Sequence, residues 1–351
     1  MHILITGATG RIGANLTMAL LAKGHTVRGF VYPADASRAH KLDGVAGVEI
    51  VTGDLRNPDE VSAALEGVEA VYHLAAAFGG PFDNVGYLGV NARGTLNLLE
   101  AVRQKGLKLH RFVYASTEAI YWRLDQRGRL FERPITEEMV SPTHQMPYFL
   151  TKWMGEELCT TYFHQYGIPT VSFRFATVFE PSEFLNEDGL PRLFTMSPVL
   201  NNLRNREHPS EEERCTLADL EGQWDGKEKL LIQRNPDGRS FRQQWCDVRD
   251  IVQGLVLGLE KGAAAGQSFT LAGLTIVWER DVPAMAERLG VGVADVRMPT
   301  PNFFEFDLSK IRRLLAYQPQ HGLNSLMETA LAIRRGEKTD VVPTGVRWGT
   351  A

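Results

Sequence analysis

Cysteine is scarce in this chain, with three residues in 351: Cys159, Cys215 and Cys246, far apart and in no CxxC pair. That spacing excludes a disulfide framework and a cysteine-built zinc site, and it fits a reducing, cytoplasmic setting. The nine histidines include no HExxH or comparable cluster, so no bound metal is expected. Positive charge is not in excess either. With 38 Lys and Arg against 42 Asp and Glu the net charge is −4, which argues against nucleic acid as a partner. Nowhere do about 18 apolar residues run together, so no membrane span is expected. The opening MHILITGATG has no basic-then-apolar leader and runs straight into a strand pattern.

What is present is ordinary in bulk, 44% hydrophobic and 23% charged, as in soluble globular proteins. The length suits one large α/β unit or two domains. Strand patterns at His2–Thr6, Thr26–Val31, Val48–Val51, Ala70–Leu74, Arg111–Ala115 and Thr170–Phe175 alternate with helical ones near 11–24, 58–66, 84–105 and 148–167. Short Val- and Ile-rich strands separated by helices of this length imply right-handed crossovers. The expected fold is α/β, a doubly wound, Rossmann-like parallel sheet covered on both faces. Beyond Phe179 the texture changes to scattered prolines and charge clusters such as RNREHPSEEER. Regular α/β character returns at 247–262, 268–273 and 279–290. The expected division is a dinucleotide-binding domain over 1–180, with 241–273 returning to it. Residues 181–240 with 274–351 form a smaller mixed α/β substrate lobe over the strand ends, where open α/β sheets bind ligands.

In ITGATGRIG, Gly7, Gly10 and Gly13 follow the first strand and open a helix. Glycine permits a tight turn and close backbone approach to a pyrophosphate, whose charge the free N–H groups at the helix start complement. VTGDL places Asp54 after the third strand, where a carboxylate can accept from an adenine amino group. YHLAAA places Ala75, Ala76 and Ala77 after the fourth, where small side chains admit a flat cofactor and also suit plain packing. YFLTK sets Tyr148 and Lys152 on one helix face. By themselves the two are either a chemical pair or an aromatic and a snorkelling cation.

The ordered set TGATGRIG, VTGDL, YHLAAA, VNARGTLNLLEA, YASTEAIY and YxxxK resembles the extended short-chain dehydrogenases/reductases of the NAD-dependent epimerase/dehydratase family. The resemblance covers the first ~180 residues and resumes weakly at DVRDIVQGL and FDLSKIRRLLAYQP. It implies Tyr148 as acid/base, Lys152 serving it and the nicotinamide ribose, and Thr117 with Ser116 orienting a substrate oxygen. A tyrosine titrates near pH ~10, and a neighbouring ammonium stabilises its phenolate. The implied cofactor contacts are Gly7, Thr9, Gly10, Arg11, Ile12, Gly13, Tyr32, Asp54, Leu55, Leu74, Ala75, Ala76, Asn91, Tyr148 and Lys152, with Asn91 in a positioning role. The expected activity is NAD- or NADP-dependent hydride transfer at a secondary alcohol or carbonyl of a sugar-like substrate, as epimerase or net dehydrogenase. The alternative is a non-catalytic redox sensor. A homodimer is left open.

Departures from the family pattern bear on the substrate. Sugar 4,6-dehydratases of this type carry acids after the threonine; here Glu118 fills the first place and Ala119 the second, which disfavours elimination of water. Glu118 is retained as an acid/base or a hydrogen-bond acceptor. Thr177 and Glu180 stand where an Asn and a Gly-Pro are usual. Gln243 stands where an arginine grips a sugar diphosphate, with Arg239 and Arg242 nearby. Trp122 replaces a glycine and is expected to narrow the pocket or stack on a ligand. Val31 and Tyr32 replace the acid that selects NAD, while Arg11 and Arg38 are within reach of a 2′-phosphate, so the choice between NAD and NADP stays open.

Overall fold

In the computed structural model of the protein, residues 1–79, 82–124, 126 and 128–344 are described. Seven strands, His2–Thr6 (β1), Thr26–Val31 (β2), Val48–Thr52 (β3), Ala70–His73 (β4), Arg111–Thr117 (β5), Thr170–Phe175 (β6) and Gln267–Leu271 (β7), form one sheet. Its order is β7-β6-β5-β4-β1-β2-β3, and every pairing is parallel. The period-2 alternation of strand side chains explains why both faces are covered. Ile3 and Ile5 of β1 enter one apolar cluster with Val113, Val171 and Phe173. Leu4 enters the other with Val71, Phe112 and Tyr114. The expected Rossmann-like sheet is the observed one. β5 runs two residues beyond its expected end, because Ser116 and Thr117 stay in register with Arg174 and Phe175 of β6.

The stretch 181–240 is more regular than its composition suggests. Helices Met196–Arg204 and Glu211–Gln223 precede the strand Lys229–Arg234, which pairs in parallel with Gly292–Arg297. Ser210 and Glu213 cap the second of these helices reciprocally, so the acidic cluster PSEEER is a helix start. Arg242–Asp247 is the centre of a second sheet, flanked by Thr275–Val277, Asn302–Phe303 and Thr177–Phe179, with Arg129–Leu130 beyond. Phe179, Phe194, Trp245, Trp278 and Met327 form a separate core there. Phe304, Ile311, Leu315 and Tyr317, further along the chain, pack instead into the cluster of β1 and β7, and the Tyr317 hydroxyl donates to Ala272 O at 3.0 Å. Among the described residues no helix is long and apolar enough to cross a membrane. Nor does any group of three His, Cys, Asp or Glu there suit a metal ion.

Candidate active site

The glycine loop connects β1 to the helix Arg11–Ala22. Gly7 has φ +73°, and a Cβ there would lie 2.9 Å from Ala75 N, at the end of β4. A Cβ on Gly13 would sit 2.2 Å from Gly7 O. Both positions therefore require glycine for the loop itself. Gly10 is different: it is exposed, and its Cβ would meet only Gly7 O at 3.3 Å. Gly10 is also the N-cap, and no side chain caps the helix. Its first-turn N–H groups, from Arg11 and Ile12 onwards, thus form an anion site over which Gly10 leaves room. This fits a dinucleotide pyrophosphate. Thr9 is buried beside them, and Ala75 and Ala76, both half-buried, face the loop. The Ala75 amide donates to Thr6 Oγ1, and Leu74 N donates to Thr6 O.

Two expected cofactor contacts are engaged otherwise. The Arg11 guanidinium donates to Val178 O at 2.8 Å and pairs with Glu183 at 3.4 Å. It is thereby held against the strand Thr177–Phe179 and the turn that follows it. Arg38 pairs with Asp35 at 3.3 Å. Asp54 is gripped by Arg56, a residue the motif reading passed over, through contacts of 2.5–3.0 Å to both carboxylate oxygens. Hydrogen bonding from Arg56 holds the Asp54 carboxyl below its usual range. The same guanidinium reaches the exposed Tyr32 hydroxyl at 3.4 Å. Leu55 is buried and contacts the opposite wall at Gly94.

Asn91 lies in a π-helical turn, Leu88–Arg93. Its amide exchanges hydrogen bonds with Ala77 N (2.7 Å) and Ala77 O (3.1 Å), and donates to Thr151 Oγ1 (3.1 Å). It thereby ties the alanine run to the helix Pro147–Tyr166. The extra residue of a π turn re-aims side chains, often at functional sites, and 3.6-residue periodicity does not reveal it.

On that helix Tyr148 is half-buried among Phe78, Tyr87 and Phe149. Burial raises its phenol above the ordinary range, while the Thr117 hydroxyl beside it pulls the other way. Lys152 is buried, with Nζ 4.4 Å above the Tyr114 ring, and desolvation brings its ammonium down to about 7. Among the described residues no hydrogen bond joins the Tyr148 and Lys152 side chains. Thr117 ends β5 and caps the short turn Glu118–Tyr121 through Ala119 N. On either side of it are two unsatisfied groups. Ser116 (3% exposed) leaves Oγ without a partner; Glu118 (6% exposed) accepts from Thr177 Oγ1 at 2.9 Å and leaves Oε2 bare.

Desolvation raises Glu118 to about 7, against the pull of Arg129 and Thr177. The folded state therefore holds this proton more tightly than the unfolded chain, and that stabilisation is lost as pH rises through about 7. The window from an ordinary 4.5 to about 7 corresponds to roughly 3 kcal/mol (about 2.5 × 1.36). Glu118→Gln keeps an oxygen for Thr177 and cannot ionise. The expected result is a higher Tm than wild type at pH 8.5 and no gain at pH 5. Lys152 titrates in both proteins and cancels in the difference. Calorimetry showing the same gain at both pH values would refute the assignment.

Trp122 corrects the reading of an indole stacked on ligand. It is 3% exposed, with Phe304 at 5.0 Å, Phe131 at 5.8 Å and the Arg129 guanidinium 4.8 Å over its ring. No face is left for a sugar. Gln243 accepts from Asn302 Nδ2 at 3.1 Å. Arg242 pairs with Glu305 and Arg239 with Glu132 and Asp237. Glu180 is fully buried and accepts from Thr344 N.

The geometry has counterparts in known proteins. The chain is 34% identical over 196 residues to the uncharacterized UDP-glucose epimerase YtcB of Bacillus subtilis, 52% of this chain and 58% of that one. It is 32% identical over 207 residues to uronate dehydrogenase of Pseudomonas syringae pv. tomato, 55% of this chain and 67% of that one. The match to the first of these relatives thus spans under two thirds of its length. A short-chain dehydrogenase/reductase superfamily protein from Agrobacterium tumefaciens, solved with bound NAD, superimposes with a TM-score of 0.78 at 29% identity, covering 96% of this chain and 98% of that one. UDP-glucuronic acid 4-epimerase from Bacillus cereus in complex with NAD gives 0.70 at 25% identity, covering 96% and 100%. The family pattern of the NAD dependent epimerases/dehydratases matches residues 3–272, from β1 through the end of β7, and on that match the chain belongs to the NAD-dependent epimerase/dehydratase family.

Proposed function

We propose that this chain is an NAD(P)-dependent enzyme that transfers hydride at a secondary alcohol or carbonyl of a sugar-like substrate, as an epimerase or as a net dehydrogenase. The observation that carries this reading is the convergence of Thr117, Tyr148 and Lys152 at the carboxyl ends of the parallel strands, beside the glycine loop. A bound dinucleotide supplies the hydride acceptor and donor. The residues do the rest. Tyr148, neutral in its half-buried site, exchanges a proton with the substrate oxygen. Thr117 orients that oxygen, and Lys152, when charged, favours the phenolate. Ala119 cannot move a proton, so elimination to a 4-keto-6-deoxy product is not part of the reading. The lobe built from 181–240 and parts of 274–351 closes the substrate side; the Thr177–Glu118 bond across to β5 supports that arrangement.

The test is a screen of cofactor reduction, with both NAD and NADP, over free sugars, sugar acids and nucleotide sugars, with products identified. Gly10→Val is its control. A Cβ at Gly10 would meet only Gly7 O, at 3.3 Å, and would face the proposed pyrophosphate. The variant is therefore expected to lose dinucleotide binding in calorimetry, with its Tm measured alongside to confirm that it is folded. A folded wild type that binds neither dinucleotide would overturn the proposal, as would unimpaired binding by Gly10→Val.

A further inference from the structure

The second sheet presents two chemically different faces. In the parallel register Asn302 lies opposite Arg129, and Phe303 lies opposite both Leu130 and Arg242. Side chains of paired residues share a face and alternate along each strand. Arg242, Phe303 and Leu130 thus mark one face, where Arg239 and Arg242 stack on Phe303. Both of these cations are neutralised, by Glu132, Asp237 and Glu305. Gln243, Asn302 and Arg129 mark the other. The Arg129 guanidinium is half-buried there, laid on the rings of Trp122 (4.8 Å) and Phe304 (5.9 Å). Among the described residues its side chain has no hydrogen bond and no ion pair. Its charge acts on Glu118, next to Thr117.

Two oxygens near this cation lack donors: Asn302 Oδ1, on the residue paired with Arg129 in register, and Glu118 Oε2, on the carboxyl its charge acts on. Buried polar atoms without partners are uncommon, and each is a place for a ligand group. Two unsatisfied oxygens call for hydroxyls. One uncommitted guanidinium calls for one anionic group. We propose that Arg129 is the recognition residue for a carboxylate, and that the substrate is a polyhydroxylated monocarboxylate, a hexuronate-like sugar acid, whose hydroxyls engage Asn302 and Glu118. A planar guanidinium matches a carboxylate through two parallel hydrogen bonds. A sugar phosphate shares the anionic chemistry, but its second charge meets Glu118 and, among the described residues, no second free cation on this face. A nucleotide diphosphate is disfavoured for the same reason, since Gln243 is neutral and Arg239 and Arg242 are already paired. The proposal rests on the hydride-transfer reading of the Tyr148 site, and it names the substrate class for that site.

Binding and turnover are read separately on the full chain. Calorimetry with dinucleotide-loaded protein compares galacturonate and glucuronate with galactose, glucose, glucose 6-phosphate and UDP-glucose. The hexuronates are expected to bind between ~10- and ~10²-fold more tightly than the matching hexoses, the range of a hydrogen bond to a charged group. Arg129→Met keeps the stem on Trp122 and removes the charge. Arg129→Lys keeps the charge without the planar fork. The preference should vanish in the first and survive in part in the second, with both Tm values measured. In steady state with hexuronate the loss should fall on KM more than on kcat. A wild type that binds dinucleotide but shows no preference for hexuronate overturns the proposal, as does an undiminished preference in folded Arg129→Met. Tighter binding of the phosphate or the nucleotide sugar assigns the cation to phosphate and equally overturns it. Hexuronate binding without turnover of any sugar would instead reject the hydride reading while leaving the carboxylate subsite in place.

Discussion

Tyr148→Phe is expected to lower turnover by about 10²-fold or more, the usual scale for losing a general acid/base, while dinucleotide affinity and Tm stay close to wild type. The ring is retained, so the contacts with Phe78 at 4.9 Å and Phe149 at 5.9 Å survive. Only the hydroxyl beside Thr117 is lost. Lys152→Ala is expected to act differently, reducing turnover and cofactor affinity together, because its ammonium is buried between the helix Pro147–Tyr166 and Tyr114. Stopped-flow measurement of cofactor reduction separates the two variants. If Tyr148→Phe turns over at a near-normal rate, the residue is helix packing and the proton goes elsewhere, with Glu118 the next group to examine.

The sheet was readable because its strands are apolar on both faces and its turns carry glycines that geometry requires. Gly7 needs a positive φ and Gly13 has no space for a side chain, so the loop announces itself. The motif set also marked Thr117, Tyr148 and Asn91, which the fold brings to one end of the sheet. Tertiary partners could not be read in the same way. Nothing in the order of residues says that Arg11 turns towards Val178 and Glu183, 167 positions away in the case of Val178. The packing of Trp122 depends on Phe304 and Arg129, which arrive from another sheet. Arg129 itself sits in no motif. Its signal is a missing partner, and only a structure can show an absence of that kind. Helix Glu211–Gln223, by contrast, was within reach, since Ser210 and Glu213 carry the S-x-x-E spacing of a capping box.

Arg174→Met is expected to destabilise the protein by roughly 3–5 kcal/mol, the range for removing one partner of a buried ion pair. Arg174 and Glu156 are 4% and 1% exposed, joined by contacts of 2.6, 3.0 and 3.2 Å. Arg174 also donates to the Tyr121 hydroxyl at 3.0 Å and to Glu137 O at 2.5 Å. Without it the Glu156 carboxylate is left charged in a dry site between the helix Pro147–Tyr166 and β6. Adding Glu156→Leu removes that charge, and a buried pair replaced by apolar groups is often close to neutral, so the double variant should regain most of the lost stability. Activity is expected to part from stability at this point. Glu156 lies one helical turn beyond Lys152 and is among the charges that favour its ammonium. Losing it pushes the Lys152 pKa below about 7, and a neutral lysine no longer favours the Tyr148 phenolate. The alkaline limb of the pH–rate profile, along which Lys152 loses its charge, should therefore move to lower pH in the double variant even where chemical denaturation reports near-normal stability. If the profile returns together with the stability, the pair is a structural device alone; a shifted profile on a restored fold makes Glu156 the residue that keeps Lys152 charged.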